Sequence, residues 1–248
     1  MNSGHLPWEP LYYLTHEGIE GDADFYRRFL DTGGKLLELG CGDGRLTEVF
    51  LRAGYQVTAL DQSVFALNAL KSRLKLEHPK ALTCIRADFT QPPASGLYDR
   101  IVLNFNGLLC LRDSDKLRLF EWIAAHLATD GLFLFDFYDG APFLENGQTD
   151  EEWIYEPQLI KTIYSQGTAF DVYESGLFRS VSDRLEMNYH YFRDGDEDLD
   201  ENLTYSIVHY PLSETKMRRL VDQAQLSIRR IINVNLPDGR HIFSVVGK

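Results

Sequence analysis

Leu36-Leu37-Glu38-Leu39-Gly40-Cys41-Gly42-Asp43-Gly44 is the stretch from which the rest of the chain is read. Four mostly apolar residues predict a short buried strand, and three glycines at alternate positions predict a backbone turn. An amphipathic helix begins at once, with Leu46, Val49, Phe50 and Ala53 at i, i+3, i+4 and i+7 and Gly54 as its stop signal. A glycine turn between a strand and a helix lets a ligand approach bare backbone, and in open parallel sheets this is where nucleotide-like ligands sit.

The dinucleotide fingerprint G-x-G-x-x-G sets a pyrophosphate on a helix N-terminus. Here the spacing is G-x-G-x-G, with Glu38 at the strand end and Asp43 inside the turn. Two carboxylates repel a pyrophosphate and suit a ligand that carries positive charge and no phosphate. S-adenosylmethionine (SAM) is such a ligand, and the run resembles the first motif of the Rossmann-like, class I SAM-dependent methyltransferases. The resemblance implies that Gly40, Cys41, Gly42 and Gly44 cradle SAM, with Glu38 near its amino-acid end.

Outward from the turn, residues 56–60 predict a second strand ending in Asp61 and Gln62. A carboxylate there accepts two hydrogen bonds from a vicinal diol, so Asp61, with Gln62 beside it, is assigned to the ribose. Ser63 is left to cap a helix over 64–76. Residues 83–87 predict a third strand ended by Asp88 and Phe89, to which the resemblance gives the adenine amino group and ring. A fourth strand over 98–104 brings Asn104 and Asn106 to its carboxyl end, Asn104 beside the cofactor and Asn106 toward substrate or catalysis. A helix over 113–127 is expected to bury Leu117, Phe120, Ala124 and Leu127. Asp130-Gly131 then reads as a turn into a fifth strand over 132–137, nearly all apolar as parallel strands buried on both faces are.

From Gly140 the period changes. Residues 159–164, 170–178, 185–192 and 203–210 alternate apolar and polar side chains and predict antiparallel strands with one wet face. The acidic run 194–201 reads as a solvated connector. Ser213 caps a last helix with Met217, Leu220, Val221 and Ala224 on one face, and residues 227–234 and 241–246 form a hairpin around 236–239.

The expected fold is therefore α/β: a doubly wound, mostly parallel seven-stranded sheet with an antiparallel last strand and a small antiparallel β insertion. Its parts are an N-terminal lid or helical segment (1–34), a Rossmann-like core (35–139 and 211–248) and a substrate cap (140–210). Tyr12 and Tyr13 are the candidate substrate residues; His190 and His209, with Asn106, are the candidates for catalysis.

A net charge of −12, from 37 acids against 25 bases, argues against a nucleic-acid partner. It favours a small cationic acceptor, because carboxylates and tyrosine faces attract ammonium groups. Cys41, Cys84 and Cys110 share no metal-type spacing, so no metal is expected and a reducing compartment is. No signal peptide or long apolar run is read, so a cytoplasmic protein without membrane attachment is expected. A homodimer is left open. The implied reaction is methyl transfer from SAM to a small molecule, at nitrogen before oxygen, by in-line displacement. The alternatives are a non-catalytic SAM-binding sensor or partner subunit, an NAD-dependent oxidoreductase and a protein methyltransferase.

Overall fold

The computed structural model describes residues 8–19, 21–31, 33–74, 80–93, 95–146, 153–193, 203–236 and 239–248. They form two compact units, one of residues 19–139 with 212–248 and one of residues 1–18 with 140–211.

In the larger unit the apolar run at 36–39 lies in β1 (Gly34–Leu39), paired in parallel with β2 (Tyr55–Asp61) on one side and β4 (Tyr98–Leu103) on the other. The full sheet also holds β3 (Leu82–Arg86), β5 (Leu127–Tyr138), β10 (Ser227–Leu236) and β11 (Gly239–Gly247), in the order β10-β11-β5-β4-β1-β2-β3. β11 is inserted antiparallel between β5 and β10, and the hairpin that delivers it closes at Leu236 and Gly239, with Pro237 and Asp238 outside the described residues.

Strand residues alternate between two cores, which is why the runs read as continuously apolar. Leu37, Leu39, Ile101, Phe133 and Phe135 pack with α5 (Asp113–His126) and α7 (Glu214–Gln223). Leu36, Val57, Val102 and Leu134 pack on the opposite face with α2 (Asp22–Arg27), α3 (Arg45–Arg52) and α4 (Val64–Arg73). Ser63 and Ser213 cap α4 and α7, each hydroxyl accepting a backbone N–H three residues on. The chain runs outward from the centre in opposite directions after β1 and after β4. That reversal makes the crevice between their carboxyl ends the expected ligand site of an open α/β sheet.

Three expectations are corrected. Asp130-Gly131 does not turn the chain into β5: the strand already begins at Leu127, and residues 128–131 bulge between the pairs Tyr98–Leu127 and Arg100–Leu132. Gly131 sits so tightly in this bulge that a Cβ would come within 2.9 Å of the Tyr98 carbonyl oxygen. On α5 the buried stripe is Lys116, Leu119, Phe120 and Ile123, with Leu117 and Ala124 on its shoulder. The displaced stripe follows from Lys116, whose fully buried ammonium donates to the Leu111 carbonyl at 2.6 Å and so tolerates a core position. Finally, residues 1–34 are not one segment: α1 (Glu9–Thr15) belongs to the smaller unit and α2 to the larger.

The smaller unit is a four-stranded antiparallel meander, β6 (Trp153–Ser165), β7 (Thr168–Arg179), β8 (Arg184–Arg193) and β9 (Thr204–His209), paired in chain order. Leu11 of α1 joins Ile163, Phe170, Val172, Tyr189 and Tyr191 in a separate core. The helix α6 (Ala141–Asn146) precedes the sheet. The end expected for α4 at Leu76 and the acidic run 194–201 lie outside the described residues. Among the described residues no helix is long and apolar enough to cross a membrane.

Candidate functional site

The glycine turn owes its shape to backbone that other residues rarely adopt: Gly40, Gly42 and Gly44 all have left-handed φ, +69°, +56° and +90°. Cys41 N–H donates to the Leu60 carbonyl at 2.9 Å, which binds the turn to the end of β2. Asp61 then fastens it from the side chain. One carboxylate oxygen accepts Gly42 N–H and the other accepts Ser63 N–H, both at 2.8 Å. These two backbone donors orient the Asp61 carboxylate at the end of β2. Gly44 has a packing role as well, since a Cβ there would lie 2.7 Å from Leu70 Cγ of α4.

Glu38 is fully buried. Thr47 Oγ1 donates to one oxygen at 2.5 Å, and Asn104 Nδ2 approaches the other at 3.5 Å. Burial raises its pKa to about 8, against the opposing pull of the Thr47 hydroxyl and the Arg45 charge. Glu38 is thus mainly protonated at neutral pH, and Asp43 forms an ion pair with Arg73 at 2.7 Å. The repulsion of a pyrophosphate inferred from these two acids is correspondingly weaker than the sequence suggests. Asp61, by contrast, accepts two backbone N–H groups.

The other assigned positions differ in what they offer. Cys41 is buried in the core with its thiol pKa pushed up by burial, so its side chain is packing. Gln62 is exposed, and its carbonyl accepts from Arg86 Nε. Asp88 is exposed and folds back onto Thr90 N–H at 2.8 Å, a local turn bond. Its neighbour Phe89 lies beside the glycine turn, 3.8 Å from where a Gly40 Cβ would be. Asn106 has its carboxamide oxygen bonded to Tyr138 N–H at 2.8 Å, so that atom is committed to holding the loop after β4 against β5.

That loop rests on a residue the sequence reading missed. Asp136, fully buried in β5, accepts Tyr26 Oη at 2.5 Å and Phe105 N–H at 2.8 Å on one oxygen. On the other it meets Asn106 N–H at 3.2 Å and His241 Nε2 at 2.9 Å. Phe105 and Asn106 both have left-handed φ, +54° and +60°, a strained pair for residues with a Cβ. The carboxylate that gathers their N–H groups holds them there. A signal was available: Asp136 is the one charge in the otherwise apolar run 132–137. A second acid, Asp22, is also buried and takes a bidentate pair from Arg45 at 2.8 and 2.6 Å.

The smaller unit carries Tyr12, Tyr13, His190 and His209. Tyr12 stacks on His16 with centroids 4.2 Å apart and meets Tyr13, Tyr189 and Tyr205 edge-on. His190 and His209 do not come together. His209 is opposite Leu185 and His190 opposite Thr204. They lie five residues apart along β8, about 17 Å at ~3.4 Å per residue, and on opposite faces of the sheet.

The turn, the oriented Asp61 and the Glu38–Asn104 pair fit a nucleoside with a vicinal diol and a polar tail at the crevice of the larger unit. Residues 36–131, which carry this constellation, match the family model described as a methyltransferase domain. A curated relative, the cypemycin N-terminal methyltransferase of a Streptomyces species, is 30% identical over 117 residues. That stretch is 46% of this chain and 46% of the relative, so the match spans about half the length of each. Among solved structures, the CcbJ methyltransferase of Streptomyces caelestis shares the fold with a TM-score of 0.75 at 15% identity, over 95% of this chain and 94% of that one. SAM-bound CalS10, an amino pentose methyltransferase of Micromonospora echinaspora, has a TM-score of 0.68 at 16% identity, over 100% and 99%.

Proposed function

We propose that this chain is a Rossmann-like SAM-dependent methyltransferase and that it methylates a small-molecule acceptor, at nitrogen before oxygen. The observation that carries the reading is Asp61, fixed by Gly42 and Ser63 N–H at the end of β2 beside the glycine turn. SAM supplies a methyl group on a sulfonium leaving group, which an acceptor lone pair displaces in line. Asp61, with Gln62 next to it, holds the ribose hydroxyls. The turn Gly40–Gly44 gives its bare backbone, Glu38 and Asn104 take the amino-acid end, and Phe89 with Asp88 takes the adenine. Asp136 fixes the loop that carries Asn104.

Holding cofactor and acceptor in alignment accounts for much of the rate, since alignment contributes up to ~7–11 kcal/mol in model reactions. An amine loses its proton to water, so a general base is dispensable for nitrogen. Tyr12 and Tyr13 are the proposed acceptor contacts. Of His190 and His209 no more than one serves a given acceptor, because they lie on opposite faces. The name of one relative, an N-terminal methyltransferase, supports nitrogen.

Calorimetric titration with SAM, S-adenosylhomocysteine and NADH tests the cofactor. The first two bind and NADH does not; NADH binding alone would overturn the reading. Asp61→Ala weakens SAM at least tenfold, about 1.4 kcal/mol, through loss of the ribose hydrogen bonds. Unchanged affinity in the folded variant removes that role from Asp61. SAM binding without turnover on a panel of small amines returns the protein to a sensor or partner subunit.

A further inference from the structure

We propose that Glu174 is the anionic half of an ammonium-binding site on the apolar face of the small sheet, with tyrosine rings as the other half. The proposal deepens the function above, on which it rests for calling the bound ammonium the methyl acceptor.

Register puts Glu174 where packing alone asks for an apolar side chain. Phe170, Val172, Glu174, Gly176 and Phe178 alternate on one face of β7, and apart from Glu174 all are buried. Its partner across β8 is Tyr189, flanked on that face by Met187 and Tyr191. A carboxylate in such a row costs desolvation energy unless it is hydrogen-bonded.

One hydroxyl holds it: Tyr155 Oη donates to Glu174 Oε1 at 3.0 Å, and Tyr189 stands opposite in register. Burial, followed by the charge of Glu174, raises the pKa of both phenols, so both stay protonated beside the carboxylate. The Tyr155 ring reaches this position across Gly176, where a Cβ would lie 2.0 Å from the ring. A glycine within the strand, unfavourable in itself, is what gives Tyr155 room to do so.

The Tyr155 hydroxyl fills one of the carboxylate's roughly four acceptor positions. Among the described residues no cationic side chain pairs with it. Lys161, opposite Val172 on the same face, directs its ammonium to the Leu14 and Thr15 carbonyls at the end of α1. Beside Tyr189 in register stands Tyr205, whose ring meets Tyr12 edge-on at 4.9 Å. An anchored carboxylate next to aromatic rings favours an ammonium ion over a neutral or anionic ligand.

The test titrates the full chain with cyclohexylammonium and, separately, with its neutral counterpart cyclohexanol. Wild type binds the cation saturably and at least tenfold more tightly than the alcohol, and Glu174→Gln erases that preference while keeping its affinity for SAM. No saturable binding of cyclohexylammonium, equal binding of the two probes, or undiminished cation binding by Glu174→Gln overturns the site. If Glu174→Gln loses its circular dichroism signature, Tyr155→Phe carries the test, with cation affinity reduced several-fold and unchanged affinity refuting it. SAM is titrated in the same series. A wild type that binds cyclohexylammonium and not SAM sinks the methyltransferase reading and leaves the ammonium site standing.

Discussion

Asp136 in the larger unit and Glu174 in the smaller are carboxylates among apolar neighbours, and they differ in how many partners the protein gives them. Asp136 is fully buried and meets four groups, two backbone N–H groups, a tyrosine hydroxyl and an imidazole nitrogen, which occupy its acceptor capacity. Glu174 is half-buried and accepts one phenol hydroxyl, that of Tyr155. The first is a scaffold group that leaves nothing for a ligand. The second is oriented by the protein and still has capacity to bind.

The largest effect expected from this contrast is on stability. Asp136→Ala leaves the Tyr26 hydroxyl and the Phe105 and Asn106 N–H groups buried without an acceptor, at ~1–3 kcal/mol each. The variant should lose at least about 3 kcal/mol in urea unfolding, and it releases the left-handed loop beside Asn104. Glu174→Ala, by contrast, takes the acceptor from one part-buried phenol, Tyr155, and should lose clearly less. Equal losses would erase the distinction between the two acids.

The same contrast explains what the sequence disclosed. The strand–glycine–helix stretch, Asp61 after β2 and the Ser63 and Ser213 caps are local signals, so a few residues carry each of them. The four strands of the smaller unit were legible from alternation alone. Asp136 and Glu174 were not assigned because their meaning lies in distant partners. Tyr26 and His241 are more than a hundred residues from Asp136, and Tyr155 reaches Glu174 only through the register of β6 on β7. Each was nonetheless visible as a charge breaking an apolar row. The N-terminal segment failed for a related reason: nothing within residues 1–34 says that α1 packs beside β6 while α2 packs on the parallel sheet.

Glu38 stands between the two cases, fully buried, with Thr47 and Asn104 as its donors among the described residues. Its folded pKa, about 8, lies above the ordinary 4.5. Between those values the unfolded chain gives up the proton while the folded chain keeps it. The folded state therefore binds more protons, and stability falls as pH rises through this window by up to ~1.4 kcal/mol per pH unit, levelling off above about 8. Glu38→Gln removes the titration, so its urea midpoint should change less than that of wild type between pH 5 and 8. Parallel curves would mean that Glu38 is ionised in the fold.

A smaller effect separates the two units at their glycines. Gly44 of the cofactor turn and Gly167 of the β6–β7 hairpin have nearly the same backbone, φ +90° and +83°. Alanine at either position bears the left-handed strain, ~1–2 kcal/mol. They differ in surroundings: a Cβ at Gly167 meets nothing within 4 Å, whereas at Gly44 it runs into Leu70. Gly167→Ala should therefore lose only the conformational term. Gly44→Ala should lose that and a further ~1–3 kcal/mol for overpacking, partly recovered by Leu70→Ala in the same chain. If the two single variants unfold at the same urea concentration, Gly44 is present for its φ alone. The packing of α3 against α4 then has no part in setting the turn. If the double variant recovers stability, the glycine that shapes the cofactor crevice is also the one that lets the helices behind it close.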